Sequence, residues 1–256
     1  MKRDGLVAAG RRAAATLAAV ISLAAGAGAG AQSSLPGELE VIARTYHQAP
    51  ERLDGIRRAL EQAVDKTPTA ELLVALARAH YNWAEVRAKT DDEKLDAFEE
   101  GREAAKRAID LEAGNARAHF WYATNTAKWG QLTGISRSLQ LLPEIRREVR
   151  IVLDLEPQFG SAYVLAGNLA AEVPGILGGS LDRAEQTFRK GLAVDPRLTA
   201  LRVGLAHVLA RRGQVVQARQ ELTAVLNETQ PSNVADWTVK DVPEARQRLE
   251  ALKDTP

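Results

Sequence analysis

The sequence predicts an all-α fold in which helix pairs repeat along the chain and stack as a right-handed solenoid. From Gln32 onward apolar residues recur at helical spacing, and no long alternating pattern typical of strands appears. Three helix ends share one pattern, Ala108–Ala113, Val152–Pro157 and Gly191–Pro196, and a looser version ends at Pro68. The endings at residues 68, 113, 157 and 196 lie 45, 44 and 39 residues apart, a period typical of helix-pair repeats.

The first element is an export signal. Four basic residues within the first twelve positions precede the apolar run Ala13–Ala25, and Ala29–Ala31 forms a small-x-small cleavage site. We expect residues 1–31 to be a signal peptide cleaved after Ala31, so that a periplasmic or secreted protein begins at Gln32. The alternative is an uncleaved membrane anchor, although the Ala- and Gly-rich run is weakly apolar for spanning about 30 Å of hydrocarbon.

Composition excludes several classes of function. The 256 residues include no Cys, which excludes disulfides, thiolate metal sites and a Cys nucleophile. A net charge of +1 and 5% aromatic residues disfavour a nucleic-acid platform. After residue 31 no run approaches the ~18 apolar residues of a membrane helix, so we expect no integral membrane protein.

Residues 32–256 are expected to form a single solenoid of about five helix-pair units. Small residues are needed where the two helices of a unit cross, and in the fourth unit Gly167 is expected to cross beneath Ala184. The core positions of that unit are Tyr163, Ala166, Gly167 and Ala170, then Ala184, Phe188, Gly191 and Pro196. In this spacing the chain resembles the tetratricopeptide family. Val242–Leu252 is interpreted as the capping helix.

A narrower resemblance covers roughly residues 115–252. Its landmarks are Gly134-Ile135, Leu142-Pro143-Glu144, Leu155-Glu156-Pro157 and the turn Pro174–Gly179. Together they resemble the T component associated with tripartite ATP-independent periplasmic (TRAP) transporters. The resemblance implies an extracytoplasmic repeat protein that contacts a periplasmic solute-binding protein and offers an apolar ligand channel. That family is commonly lipid-anchored, whereas this chain has no Cys to modify.

The first helix of each unit lines the groove of a tetratricopeptide solenoid, which predicts a binding groove of mixed charged and apolar side chains. Its residues are Arg78, Tyr81, Arg117, Phe120, Thr124, Lys128, Val164, Asn168, Glu172, His207 and Arg211. The cations suit acidic side chains or a peptide carboxylate, and the alternative is that they only solubilise the surface.

An apolar rim is predicted beside the groove. The connection Trp129–Leu142 and the turn Pro174–Ser180 are longer than a minimal repeat needs, and such extra length often serves a site. We expect both to emerge on one edge of the solenoid. The rim residues are Ile135, Leu139, Ile176 and Leu177. The alternative is that these side chains only pack their loops onto the helices.

Catalytic signatures are absent from the sequence. The four His residues form no spacing that sets two metal ligands on one helix face, and no nucleophile elbow or phosphate-binding loop occurs. His80 and His119 fall at core positions. We therefore expect no metal, no cofactor and no enzyme, but an exported adaptor that binds a protein or an apolar ligand. The alternatives are an envelope-assembly scaffold and a hydrolase that uses groove carboxylates such as Glu172.

Overall fold

A computed structural model describes residues 34–253. The predicted signal peptide and its predicted cleavage site after Ala31 lie outside the described residues. Within residues 34–253 the chain forms helices and turns, with no strand. The helices are α1 (Leu35–Thr45), α2 (Arg52–Lys66), α3 (Ala70–Val86), α4 (Asp91–Leu111), α5 (Ala116–Thr133), α6 (Ile135–Leu155), α7 (Gly160–Glu172), α8 (Leu181–Val194), α9 (Thr199–Arg211), α10 (Val215–Asn227), α11 (Val234–Asp236) and α12 (Val242–Ala251). A 3₁₀ turn spans Gly175–Leu177, and a π-helical segment, Trp237–Asp241, joins α11 to α12.

Consecutive helices pair into five units, α1 with α2 through α9 with α10, and neighbouring units pack against each other. The first helices of several neighbouring units also touch, as α1 touches α3, α3 touches α5 and α7 touches α9. The predicted all-α helix-pair solenoid is therefore confirmed for the described residues. We call the surface presented by α1, α3, α5, α7 and α9 the first-helix face.

Local signals place the helix ends where the sequence predicts them. Thr90 caps α4 through a capping box in which its hydroxyl accepts from the Glu93 amide while the Glu93 carboxylate accepts from the Thr90 amide. At the shared endings α4, α6 and α8 stop at Leu111, Leu155 and Val194. In each case the amide of the residue that follows the helix donates a hydrogen bond to the carbonyl oxygen four positions back.

The connection Trp129–Leu142 is helical, and the prediction of an extended loop there is wrong. Helix α5 runs to Thr133 and α6 begins at Ile135, so Gly134 alone forms the turn. Its φ of 110° lies in a region that favours glycine, which explains how one residue reverses the chain. The extra length therefore extends the α5–α6 hairpin.

The crossing in the fourth unit centres on Phe188, which corrects the expected partner of Gly167. A Cβ built on Gly167 would lie 2.5 Å from Cε1 of Phe188, and one on Gly204 of α9 would lie 2.4 Å from the same atom. The fully buried ring is thus held between the backbones of α7 and α9. Ala184 is buried in the same cluster one turn earlier. Small residues are required at the crossing, as predicted, but they accommodate an aromatic ring.

Candidate functional site

The residues from Val234 to Lys253, here called the C-terminal segment, lie across the first-helix face and join the two ends of the repeat array. Ala235 is fully buried in the core cluster of the N-terminal units, together with Leu39 and Ile42 of α1. Farther along the segment, Trp237 and Ala245 pack into the core cluster of the C-terminal units. The segment is therefore longer than the capping helix predicted at Val242–Leu252, since helical structure begins eight residues earlier at Val234.

A polar network fixes the segment to units 1, 2 and 3. The Tyr46 hydroxyl donates to Oδ1 of Asp236 at 2.6 Å, and Nζ of Lys240 lies 2.9 Å from the same oxygen. Nζ of Lys240 also lies 3.8 Å from Oε2 of Glu85, whose Oε1 is 3.0 Å from Nζ of Lys128. We call Tyr46, Glu85, Lys128, Asp236 and Lys240 the groove network. Its two ammonium groups balance its two carboxylates.

Burial and neighbouring charges keep these groups in the states that the contacts need. Burial, only partly offset by Lys240, raises the pKa of the Tyr46 hydroxyl, so it stays a neutral donor. Burial alone would lower the pKa of Lys240, but Tyr81 and Asp236 beside it reverse the direction and raise it. The pKa of Lys128 is likewise raised, because Tyr81 and Glu85 outweigh burial. Both lysines therefore remain charged at neutral pH.

On its other side the segment contacts α9 through Asp241. The Thr199 hydroxyl donates to Oδ2 of Asp241 at 2.5 Å, and both residues are buried. Burial raises the pKa of Asp241 to about 6, with Asp236 adding to the rise and Thr199 and Lys240 opposing it. Lys240 and Asp241 are adjacent in the π-helical segment and contact different neighbours, and such segments often occur at functional sites.

Asp241 makes the docking of the segment pH-dependent. Its pKa is about 6 in the folded chain against 3.8 as the reference value, so the folded state binds the extra proton between these values and gains stability as pH falls toward 4. We expect Asp241→Asn to raise the free energy of unfolding at pH 7.5 by about 1–3 kcal/mol and to have a smaller effect at pH 4.5. Urea unfolding of both proteins at the two pH values measures this difference. An equal effect at both pH values would contradict it.

In units 2 and 3 the predicted groove residues are already engaged within the chain. Arg78 is paired with Glu40 of α1, and the ring of Tyr81 lies 5.5 Å from Nζ of Lys240. Phe120 and Thr124 are buried in the packing between units rather than open to a ligand. In this chain both are packing residues, and their part in binding stays a prediction. Their helix is α5, which packs against α4 and α6 on both sides.

Arg117 and Lys128 complete the α5 part of the predicted groove. Arg117 is exposed, with its Cζ 5.6 Å from the centre of the Phe159 ring. Lys128 instead belongs to the groove network through Glu85. The two predicted cations of α5 therefore differ, since Arg117 faces solvent and Lys128 lies in the groove network.

In units 4 and 5 the first-helix face is more open. Asn168 and Glu172 are exposed on α7, and Val164 is half-buried against the C-terminal core cluster. Nε2 of His207 lies 3.0 Å from Oε1 of Glu172, while Arg211 donates to the Ala171 carbonyl oxygen at 2.6 Å. These five predicted residues therefore form one patch.

His207 connects that patch to the C-terminal segment. Its Nδ1 lies 2.7 Å from Nη1 of Arg248 of α12. Burial lowers the pKa of His207, and the positive charge of Arg248 lowers it further while Glu172 opposes the change. A neutral imidazole accepts from Arg248 and donates to Glu172.

The turn Pro174–Ser180, here called the Ile176 turn, is built from several specific contacts. Nη1 of Arg146 donates to the Leu177 carbonyl at 2.8 Å, and Nη2 of Arg183 donates to the Gly178 carbonyl at 2.6 Å. Gly178 has a φ of 86°, and a Cβ on Gly179 would lie 1.6 Å from a backbone oxygen. The result is a fixed turn on which Ile176 is 94% exposed and Leu177 is 41% exposed.

The other two rim residues lie at the start of α6. Ile135 is 77% exposed and Leu139 is 38% exposed, so all four predicted rim side chains reach solvent. Arg146, which holds the Ile176 turn, lies eleven residues after Ile135 on α6, a rise of about 16 Å along the helix. Arg146 thus connects the Ile176 turn to the helix that carries Ile135 and Leu139, and a single continuous rim stays a prediction.

Sequence reasoning missed Tyr46, Glu85, Asp236, Lys240 and Asp241. Each is an ordinary polar residue on a helix or, for Tyr46, directly after one, and the groove network assembles only when residues 190 positions apart meet. One available signal was the Asn233 cap, whose side chain accepts from the Asp236 amide and starts the helix early.

Glu61, His80 and Glu100 form a second polar cluster, with ligand atoms within 4.8 Å of one another. Nη1 of Arg57 lies 3.3 Å from Glu61 and 3.8 Å from Glu100, so its guanidinium already supplies the positive charge between the carboxylates. Burial and Arg57 lower the pKa of His80 to about 3, so the imidazole is neutral. The cluster is explained as an ion pair around a core histidine. His80 and His119 are both buried, as predicted.

A depression of about 490 Å³ lies along the outer side of α10, lined by residues such as Val216, Gln220 and Thr223. It is open to solvent, whereas small-ligand sites bury most of their ligand. Among the helices of residues 34–253, none is both long and apolar enough to cross a membrane.

Comparison with known structures supports the fold. The chain is similar to a tetratricopeptide-repeat protein of Thermus thermophilus, with a TM-score of 0.60 and 17% identity over 82% of this chain and 98% of that one. It is also similar to PilF of Pseudomonas aeruginosa, with a TM-score of 0.51 and 15% identity over 85% of this chain and 91% of the other. A tetratricopeptide-repeat family model matches residues 176–236. The chain is therefore a tetratricopeptide-type repeat protein.

Sequence comparison identifies the family. Regulator of microtubule dynamics protein 1 of Bos taurus is 31% identical over 98 residues, which is 38% of this chain and 31% of the relative. The protein of the same name from Pongo abelii matches to the same extent. The chain thus spans about a third of the length of these curated relatives. The family model described as regulator of microtubule dynamics protein 1-3 matches residues 40–176, more than half of the chain. This chain belongs to the regulator of microtubule dynamics protein 1-3 family.

Proposed function

We propose that the chain is a scaffold that binds another protein through the Ile176 turn. Tetratricopeptide-type folds typically bind proteins and do not catalyse reactions, so a binding role is the expectation for this fold. The observation that carries the proposal is the near-complete exposure of Ile176 on a turn fixed by Arg146 and Arg183. A large apolar side chain held rigidly in solvent suits a partner's pocket better than it suits the free chain.

Rigidity is what distinguishes this turn from an ordinary loop. Association has to overcome the entropy of ordering each side chain and loop at the interface, and a turn that is already ordered reduces this cost. Arg146 belongs to α6 and Arg183 to α8, so two neighbouring repeat units hold the turn between them. On the first-helix face of unit 2, Glu85 and Tyr81 are engaged by Lys240 of the C-terminal segment, whereas the Ile176 turn remains an accessible apolar anchor.

The partner's identity rests on weaker support. The resemblance of residues 115–252 to the TRAP transporter component favours a periplasmic solute-binding protein, and the export signal favours a partner outside the cytoplasm. The curated relatives are named as regulators of microtubule dynamics, which favours a microtubule component as the partner instead. This chain spans about a third of their length. The proposal commits to a protein partner and lets the experiment identify it.

The test is capture of the partner by variants of the turn. We expect Ile176→Asp together with Leu177→Asp to reduce the recovered partner at least about tenfold, because two charges would face an apolar pocket. The matched control is Val216→Asp, which places a charge on the 64% exposed valine of α10. Chemical crosslinking in the source cells, affinity capture and quantitative mass spectrometry measure both variants.

Two results would contradict the proposal. One is equal recovery of the partner with the double variant, provided that circular dichroism shows an unchanged fold. The other is equal loss with Val216→Asp, which would indicate a general effect of added charge. An envelope-assembly protein as partner would favour the scaffold alternative. Measured turnover that is lost in Glu172→Ala would favour the hydrolase alternative.

A further inference from the structure

We infer that the first-helix face of units 1 to 3 is a helix-binding site which the chain fills with its own C-terminal segment. The external partner for this site is a helix that carries a small residue, then an acid, then a lysine four positions after the acid, matching Ala235, Asp236 and Lys240. This site is separate from the Ile176 turn, so the inference goes beyond the proposed function and does not depend on it.

The first argument is chemical complementarity. The face offers one hydroxyl donor, Tyr46, to the carboxylate of Asp236, and one carboxylate, Glu85, to the ammonium of Lys240. The ring of Tyr81 lies 5.5 Å from the same ammonium, a distance typical of a cation–π contact. Tyr46 at the end of α1 and Glu85 and Tyr81 of α3 thus supply a donor and an acceptor set spaced for one helical turn of a ligand, and Lys128 of α5 pairs with Glu85 behind it.

The second argument is fit. Ala235 is fully buried in the N-terminal core cluster and its helix packs against α1, so the ligand helix approaches closely at that point. A larger side chain there would meet a close-packed surface. The site therefore selects a small residue immediately before the acid.

The third argument is that the two halves of the segment are held differently. The half from Val242 onward is anchored by apolar packing of Ala245, Leu249 and Leu252 into the C-terminal core cluster. The half that faces units 1 to 3, residues 234–241, buries Ala235 and packs Trp237 against the C-terminal core cluster. Its other contacts are hydrogen bonds and ion pairs, and Val234 and Val239 stay 40% and 43% exposed. Polar contacts of this kind contribute modest net stability, so this half can leave the site while α12 stays in place.

Tethering explains why the site is filled in the isolated chain. A covalently attached ligand has an effective concentration near the millimolar range, so it outcompetes a free helix of equal affinity. An external helix binds when the internal contacts are weakened or when it makes better contacts of its own. A peptide copied from the C-terminal segment carries the required small residue, acid and lysine, so it serves as the probe.

The experiment uses a fluorescent synthetic peptide of residues 232–245 and measures its fluorescence anisotropy with the full chain. We expect the chain with Asp236→Ala and Lys240→Ala to bind this peptide at least about tenfold more tightly than the unmodified chain does. We also expect the modified chain to bind a control peptide with the same two substitutions at least about tenfold more weakly. Ile176→Asp with Leu177→Asp should leave peptide binding unchanged, so the two proposals fail separately.

Equal binding of the two peptides, or no binding, by the folded double variant would overturn the inference. If the double variant does not fold, hydrogen exchange of the backbone amides in the unmodified chain tests the inference instead. The inference expects amides of residues 234–241 to exchange at least about tenfold faster than those of residues 245–251. Equal protection of both halves would mean that the segment is a fixed part of the fold and would overturn the inference.

Discussion

Gly167→Leu should destabilise the chain by about 3 kcal/mol or more. Even the first carbon of the new side chain would lie 2.5–2.8 Å from three atoms of the Phe188 ring. The ring cannot move away, because the backbone of α9 packs so closely on its other side that a Cβ built on Gly204 would lie 2.4 Å from it, and no part of the ring is exposed. Overpacking of this kind costs typically 1–3 kcal/mol and more when the neighbours are fixed. Thermal unfolding followed by circular dichroism should show a fall of several degrees, at about 2–4 °C per kcal/mol for this size.

Gly55→Leu is the matched control for this prediction. Gly55 also lies within a helix, but a Cβ there meets no atom within 4 Å. Replacing a helical glycine with a good helix former should be neutral or stabilising by up to about 1 kcal/mol. If both variants melted at the temperature of the unmodified chain, the crossing of α7 and α9 around Phe188 would be wrong.

Glu148→Ala should cost about 3 kcal/mol, because it leaves a buried histidine without its partner. Oε2 of Glu148 lies 2.5 Å from Nδ1 of His119, and Nε2 of His119 lies 2.9 Å from the Ala113 carbonyl oxygen. Both side chains are buried. Removing one member of a buried polar pair is strongly destabilising, since the other keeps its desolvation cost without the contact.

The measurement for Glu148 is urea unfolding, with two comparisons on the same helix. Glu148→Gln keeps a hydrogen-bonding group beside His119 and should recover most of the loss. Arg150→Ala changes an exposed residue and should stay within about 0.5 kcal/mol of the unmodified chain. A loss in Glu148→Ala no larger than that in Arg150→Ala would show that the pair contributes nothing.

Local chemistry explains why the helix pairs were predictable. Each unit ends in an acidic or proline-containing signal, and each of several helices begins at a capping side chain such as Thr69, Thr90 or Asn115. These signals act within four residues, so the sequence displays them directly. The exposure of Ile176 followed from the same kind of local reading of the Pro174–Ser180 turn.

Long-range features were not predictable in the same way. Helical periodicity marks which face of a helix is buried but does not name the distant segment that covers it. Nothing near Tyr46 in the sequence points to Asp236, and nothing near Glu85 points to Lys240. Gly134 was a local signal with two meanings, since glycine is typical both of loops and of a one-residue turn between two long helices. The Trp129–Leu142 loop was therefore predicted where the helices simply continue.

The central claim is that the C-terminal segment covers the first-helix face, because both surface assignments follow from it. The chain contains no Cys, so two spin labels can be placed without removing native residues. Val41 of α1 and Val239 of the segment are 54% and 43% exposed and suit labelling after substitution by Cys. The distance between them, measured by pulsed electron paramagnetic resonance, should show one narrow population that broadens when Asp236→Ala and Lys240→Ala are added. A broad distribution in the labelled chain without those two changes would contradict the account.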